Sequence, residues 1–190
     1  MKKIIVSLSY VIAVLIMVMV IYMAGEKERE RQLRLDEDFR RIEYYTKDYF
    51  VDHNSIETSE YVKAEMDANG ENIALSVTFA YDPPNYPVQE EVYKQAAEYA
   101  LRVVSFFPNV TSFDFTVLWL TYGPSAQEVL HVAMDEKSVG NLKSVYYDAL
   151  RDENAGFDMN YRKAFSEFDE SEEFKTWRNQ PITDSDSPVS

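Results

Sequence analysis

The chain opens on an uninterrupted apolar run. From Ile4 to Gly25 no residue is charged, and Ile, Val, Leu and Met outnumber the few polar members, Ser7, Ser9, Tyr10 and Tyr22. About 20 helical residues at about 1.5 Å each match a hydrocarbon layer roughly 30 Å thick. A helix satisfies its own backbone groups there, and Tyr22 stands where an interfacial aromatic is wanted. The expectation is a single-pass transmembrane anchor over residues 1–25, holding the chain to a membrane through residues 4–25. A cleaved signal peptide fits less well, because the run exceeds an apolar region of about 7–15 residues and a cut after Ala24 would leave Tyr22 where a small residue is required. Lys2 and Lys3 favour a cytoplasmic amino terminus, whereas Lys27, Arg29, Arg31 and Arg34 pull the other way. The signal-anchor pattern places the remainder outside the cytoplasm; a cytoplasmic domain is the alternative.

Residues 26–50 lack Gly and Pro and are rich in Glu, Arg, Leu and Gln, which predicts a charged helical stalk. Leu35, Phe39, Ile42 and Tyr49 form one stripe that Thr46 interrupts, a pattern that packs the last turns on a domain or joins two copies into a homo-oligomer. Beyond it, Tyr61 to Asp67 and Ile73 to Tyr81 read as strands. In the second, Ile73, Leu75, Val77, Phe79 and Tyr81 alternate with small or polar residues, and Asn69-Gly70 between the strands marks a hairpin. Asp82 to Pro87 breaks the pattern. A helix follows from about Val88 to Phe107, with Val92, Ala96, Tyr99, Val103 and Phe106 on one face and Pro108 as its stop. Phe113 to Tyr122 and Glu128 to Asp135 are two more strands, separated by Gly123-Pro124-Ser125. A helix over Ser138 to Leu150 follows, despite Gly140. Between Phe157 and Trp177, Tyr161, Phe165 and Phe168 share a helical face, which predicts one or two short helices packing back, and 181–190 reads as a disordered tail.

The order α-β-β-α-β-β-α, dominated by hairpins, predicts an α+β domain over residues 51–180: a small antiparallel sheet with helices mainly on one face. Charge adds to this picture. Residues 26–47 balance, but 48–190 hold 26 acidic and ten basic side chains. Such a domain repels phosphate backbones, so no nucleic acid is expected as a partner. With no Cys, thiol catalysis, disulfides and Cys-based zinc sites are excluded.

Candidate chemistry is sparse. Five scattered glycines build no nucleotide loop, and no Gly-x-Ser-x-Gly elbow occurs. His53 and His131 are the two histidines. His131, on a strand, reads as a structural residue, with Asp135 as the acid that a site would use. The oxygen-rich loops 67–71 and 152–156 lack EF-hand spacing and read as a turn and a helix end rather than calcium sites. Pro83-Pro84-Asn85-Tyr86 matches a short WW-domain ligand but is also needed as a connection. Asn109-Val110-Thr111 is a glycosylation sequon at Asn109. Tyr44, Tyr45, Tyr49, Phe174 and Trp177 are core aromatics by default and candidate partner contacts otherwise. No cofactor, metal or catalytic residue is assigned. The expected function is a membrane-tethered protein-binding or assembly module of an envelope complex, not an enzyme. The alternative is a small-molecule or ion sensor, and an unrecognised hydrolase ranks last.

Overall fold

The computed structural model describes residues 2–54, 61–81, 91–120, 126–151 and 161–179, with the side chains of 2–13, 52–54 and 145–151 left out. The expected breaks at 82–87 and 123–125, the Pro83–Tyr86 motif, the loop 152–156, the side chain of His53 and the tail 181–190 lie outside the described residues. The chain divides into two compact units, Met1–Arg41 and Ile42–Ser190.

Both units draw on one continuous helix, α1, Lys2–Asn54. Among the described residues no helix is long and apolar enough to cross a membrane. This overturns the single-pass transmembrane anchor, and with it the membrane and extracytoplasmic localisation drawn from it. Past Gly25 the helix is charged, and Glu28–Arg31 and Glu37–Arg41 form ion pairs one turn apart.

The second unit is α+β. Its elements are β1 (Lys63–Asn69), β2 (Asn72–Tyr81), α2 (Glu91–Phe106), β3 (Val110–Leu120), β4 (Ala126–Met134), α3 (Glu136–Arg151), a 3-10 turn (Tyr161–Ala164), β5 (Glu167–Glu170) and α4 (Glu172–Arg178). The five strands lie in sequence order, β1-β2-β3-β4-β5. The sheet is mixed, not antiparallel as expected. β2 and β3 run parallel, while the other three pairs are antiparallel. The reason is α2: a helix between two neighbouring strands returns the chain to the end where the first began, so both strands point the same way. The β1–β2 hairpin forms where Asn-Gly predicted it, with Gly70 at φ 65°, a left-handed conformation that a residue without Cβ adopts freely.

Alternation sets the core. The register aligns Leu75, Phe113 and Met134 in one row, Val77, Phe115 and Val132 in the next, and Phe79, Val117 and Leu130 in a third. All nine are buried. The last turns of α1 that belong to this unit lie over them through Phe50, whose ring stacks on Phe79 at 4.1 Å. α2 adds Tyr99, edge-on to Phe113 and Phe115 at 6.3 and 6.0 Å, and α4 adds Phe174 beside Trp119. All these contacts fall on the same sheet face.

Two details differ from the expected packing. Phe106 closes α2 but is 73% exposed, because the core stripe ends with Val103 and Val104. The segment expected as one or two helices contains β5: Phe168 pairs with Val132 and Glu170 with Leu130 on β4. Only a short helix, α4, follows, started by Ser171, whose hydroxyl accepts the Phe174 amide at 3.1 Å and so satisfies a free helix-start donor.

Candidate functional site

Because α2, α4 and the end of α1 pack on one face, the other face of the sheet is left to its alternate residues. One row across all five strands reads Lys63, Thr78, Thr116, His131, Asp169; the adjacent row reads Glu65, Ser76, Asp114, Ala133, Glu167. Thr78, Ser76 and Thr116 stand beside Asp114 on the inner strands, with Glu65, Glu167 and Asp169 on the outer ones. Glu65, Asp67, Glu167 and Asp169 are exposed. Lys63 is the basic member of these two rows besides the imidazole.

Within this face His131 Nε2 lies 2.8 Å from Asp114 Oδ1, with side chains 33% and 46% exposed. Asp135, the acid expected to serve His131, is used elsewhere. Its Oδ1 accepts the Ser138 amide at 2.8 Å, which starts α3, and the Ser138 hydroxyl, together with that amide, holds its carboxyl below the usual carboxylate range. The partner of His131 comes from the neighbouring strand, where both residues sit on the solvent-facing parity. Only the register of β3 on β4 brings them together.

Beside Asp114 a cavity of about 350 Å³ opens along the ends of β1 to β5. Carboxylates of Asp67, Asp114, Asp135 and Glu167 line it with Ser76, Ser112 and Ser166, and Ala74 and Ala133 add small apolar side chains. The Ser166 hydroxyl is occupied, donating to the Ala133 carbonyl and accepting from the Asp135 amide, each at 3.1 Å. Among the described residues no group of three or more His, Asp and Glu could hold a metal ion. The arrangement of four carboxylates with three hydroxyls suits an organic cation or a basic surface.

The aromatic residues singled out by sequence separate into two clusters. Tyr49 is 4% exposed and donates to the Gln95 carbonyl at 3.3 Å. Tyr45 is half-buried and stacks on Tyr99. Phe174 is 1% exposed, and half-buried Trp177 packs on Tyr81, Trp119 and Phe174 at the sheet end. Tyr44 alone of the five presents its ring to solvent, at 75% exposure. Asn109 is exposed in the turn before β3, where its carbonyl accepts the Ile73 amide at 2.9 Å.

Burial pushes the phenols of Tyr49, Tyr93 and Tyr99 far above their ordinary value. Tyr99 shares a hydrogen bond with Thr46, which acts in the opposite direction. Tyr93 is raised further by donating to Glu170.

Glu170 is a polar centre that the sequence pattern did not reveal. Its side chain, 5% exposed, ends the core row of Phe79, Val117 and Leu130, and it is held by Arg162 at 3.3 Å and Arg178 at 3.1 Å. A buried carboxylate requires such partners. The signal lies in Phe168 and Glu170 standing two apart, which puts both on one face once 167–170 is a strand. This centre is a clasp joining α2, the 3-10 turn, β5 and α4, with its carboxylate buried on the face opposite the open one.

The chain matches no family model, no curated protein and no solved structure.

Proposed function

We propose that this chain is a protein-binding module that docks a basic partner surface on the open face of its sheet. The observation that carries this reading is the sheet's one-sidedness. Its helices cover the aliphatic and aromatic face, and the exposed face gathers Glu65, Asp67, Asp114, Glu167 and Asp169 around short hydroxyl side chains. Short Ser and Thr side chains let a partner approach the strands closely, and clustered carboxylates steer a positive patch toward them. The net charge of residues 48–190, ten basic against 26 acidic, extends that attraction beyond the face itself.

Site-specific photocross-linking in cells tests it. A photoreactive residue at Thr78, in the middle of the open face, is expected to give a discrete protein adduct, and one at Lys94, exposed on α2, is not. Replacing Asp114, Glu167 and Asp169 by their amides should abolish the Thr78 adduct. No adduct from Thr78, or an adduct unchanged by the neutral variant, would refute the docking surface.

The cavity supports a second reading, a sensor of a small organic cation. A titration with simple diamines that protects the chain against thermal unfolding, and that fails after Asp114→Asn, would favour this reading over protein docking.

A further inference from the structure

β1 is an edge strand: among the described residues its one strand neighbour is β2. The hairpin closes on Asn69 and Asn72 with two residues between them. In a two-residue hairpin the closing pair exchanges hydrogen bonds, and bonded pairs then recur at every second residue. Lys63, Glu65, Asp67 and Asn69 therefore turn their backbone groups to β2. Ala64, Met66 and Ala68 turn theirs outward, to the free edge. Seven residues with no proline or bulge form a flat template of unpaired donors and acceptors, of the kind that accepts another strand.

We propose that this edge pairs with β1 of a second copy of the chain, antiparallel about a two-fold axis at Glu65. The side chains select that occupant and that register. Pairing must keep like faces together, so registers differ in steps of two. With Glu65 at the axis, Lys63 of each copy stands opposite Asp67 of the other, giving two ion pairs on the open face. On the opposite face Met66 meets Ala64 of the other copy, large against small. Both residues are only half-buried in the single chain, and each has room for the contact. A shift of two residues one way sets Glu65 against Asp67 twice, and like charges directly opposite destabilise. A shift the other way sets Lys63 against Glu65 twice but leaves only Lys63 to Glu65 of each strand paired, with one bonded pair in place of two. Charges on an edge repel most incoming strands; these are complementary to their own copy in one register. The two Glu65 carboxylates meet at the axis, one like-charge pair set against the two Lys63–Asp67 pairs, each with both Lys63 and Asp67 diagonal to it on the opposing strand. The result is a continuous ten-stranded sheet with both open faces on one side. It stands independently of what those faces bind.

The chain has no cysteine, so one introduced thiol reports one contact. In the full chain, Glu65→Cys is expected to form a disulfide-linked dimer under mild oxidation, because its two copies face each other at the axis. Lys63→Cys should not, since its own copies lie well beyond the reach of about 7 Å between Cα atoms. Adding Met66→Pro to Glu65→Cys removes an outward N–H without touching the ladder to β2 and should abolish the cross-link. The proposal is overturned if Glu65→Cys stays monomeric, if Lys63→Cys cross-links equally, or if the proline leaves the dimer intact.

Discussion

Thr46 and Tyr99 offer the sharpest test of how the helix layer is held to the sheet. Thr46 is fully buried, and its hydroxyl donates to the Ile42 carbonyl at 2.7 Å. That proton is then committed, so the Tyr99 hydroxyl, 2.6 Å away, donates to Thr46 Oγ1. Thr46→Val keeps the shape and leaves the Tyr99 donor orphaned in a dry site. An unsatisfied buried donor costs ~1–3 kcal/mol, whereas a hydrogen bond lost with both groups removed is worth only ~1 kcal/mol. Thr46→Val should therefore destabilise by about 2 kcal/mol. Tyr99→Phe, which leaves Thr46 satisfied by Ile42, should cost about 1 kcal/mol. The double variant should resemble Tyr99→Phe alone, because neither replacement leaves an orphan, and the coupling then equals most of the Thr46→Val loss. Urea unfolding followed by fluorescence of Trp119 and Trp177, the two tryptophans of the chain, reads this directly, since both lie in the second unit. Costs that simply add would refute a shared bond and assign each hydroxyl an independent partner.

Alkaline pH should weaken the same core. Tyr49, Tyr93 and Tyr99 hold their protons in the folded chain far above the ordinary value of 10.0, while the unfolded chain releases them near it. Stability is thus fully present below about pH 10 and falls as pH rises further, by up to ~1.4 kcal/mol per pH unit for each tyrosine. Urea midpoints should decline steeply from pH 10 to 11, and midpoints that hold constant across that range would contradict this. Glu170→Gln should cost roughly 1–3 kcal/mol, at the low end because Arg162 is 41% exposed and can rehydrate, and limited proteolysis should show easier cleavage within 161–179. Asp114→Asn should change stability by less than ~0.5 kcal/mol, as expected for a half-exposed pair, while removing the Thr78 cross-link.

Much of the fold was legible because alternation is a property of the chain itself. β2 shows it over nine residues, and the rows Leu75, Val77, Phe79 and Phe113, Phe115, Val117 became the core. What depends on distant partners was not legible. Thr46 reads as a break in an apolar stripe, yet it lies at the centre of that stripe; a hydroxyl is tolerated in a dry contact when its bonds are met, and Tyr99 is 53 residues away. β5 was hidden because Phe165 and Phe168 also fit a helical period and four residues are too few to show a period of two. Asp114 and His131 each sit on the polar parity of a strand, but their meeting depends on register. The anchor expected over residues 4–25 rested on apolar composition alone, and among the described residues no helix is long and apolar enough to cross a membrane.

Salt separates the two proposed surfaces because their electrostatics have opposite signs at long range. A basic partner on the acidic face is attracted over the whole Debye length, about 30 Å at 0.01 M salt and about 8 Å at 0.15 M, so the Thr78 adduct should fade as salt rises. Two copies meeting at β1 bring together units whose residues 48–190 hold ten basic and 26 acidic side chains each, and these repel. Added salt screens that distant repulsion first. The Lys63–Asp67 pairs and the ladder hydrogen bonds act within a few ångströms, well inside the screening length, and lose less. Disulfide trapping of Glu65→Cys should therefore increase over the same salt range in which the Thr78 adduct declines. Cross-linking at Glu65 that declines with salt would mean that the ion pairs, rather than the ladder, hold the edges together, and the register argument would then lose its backbone support.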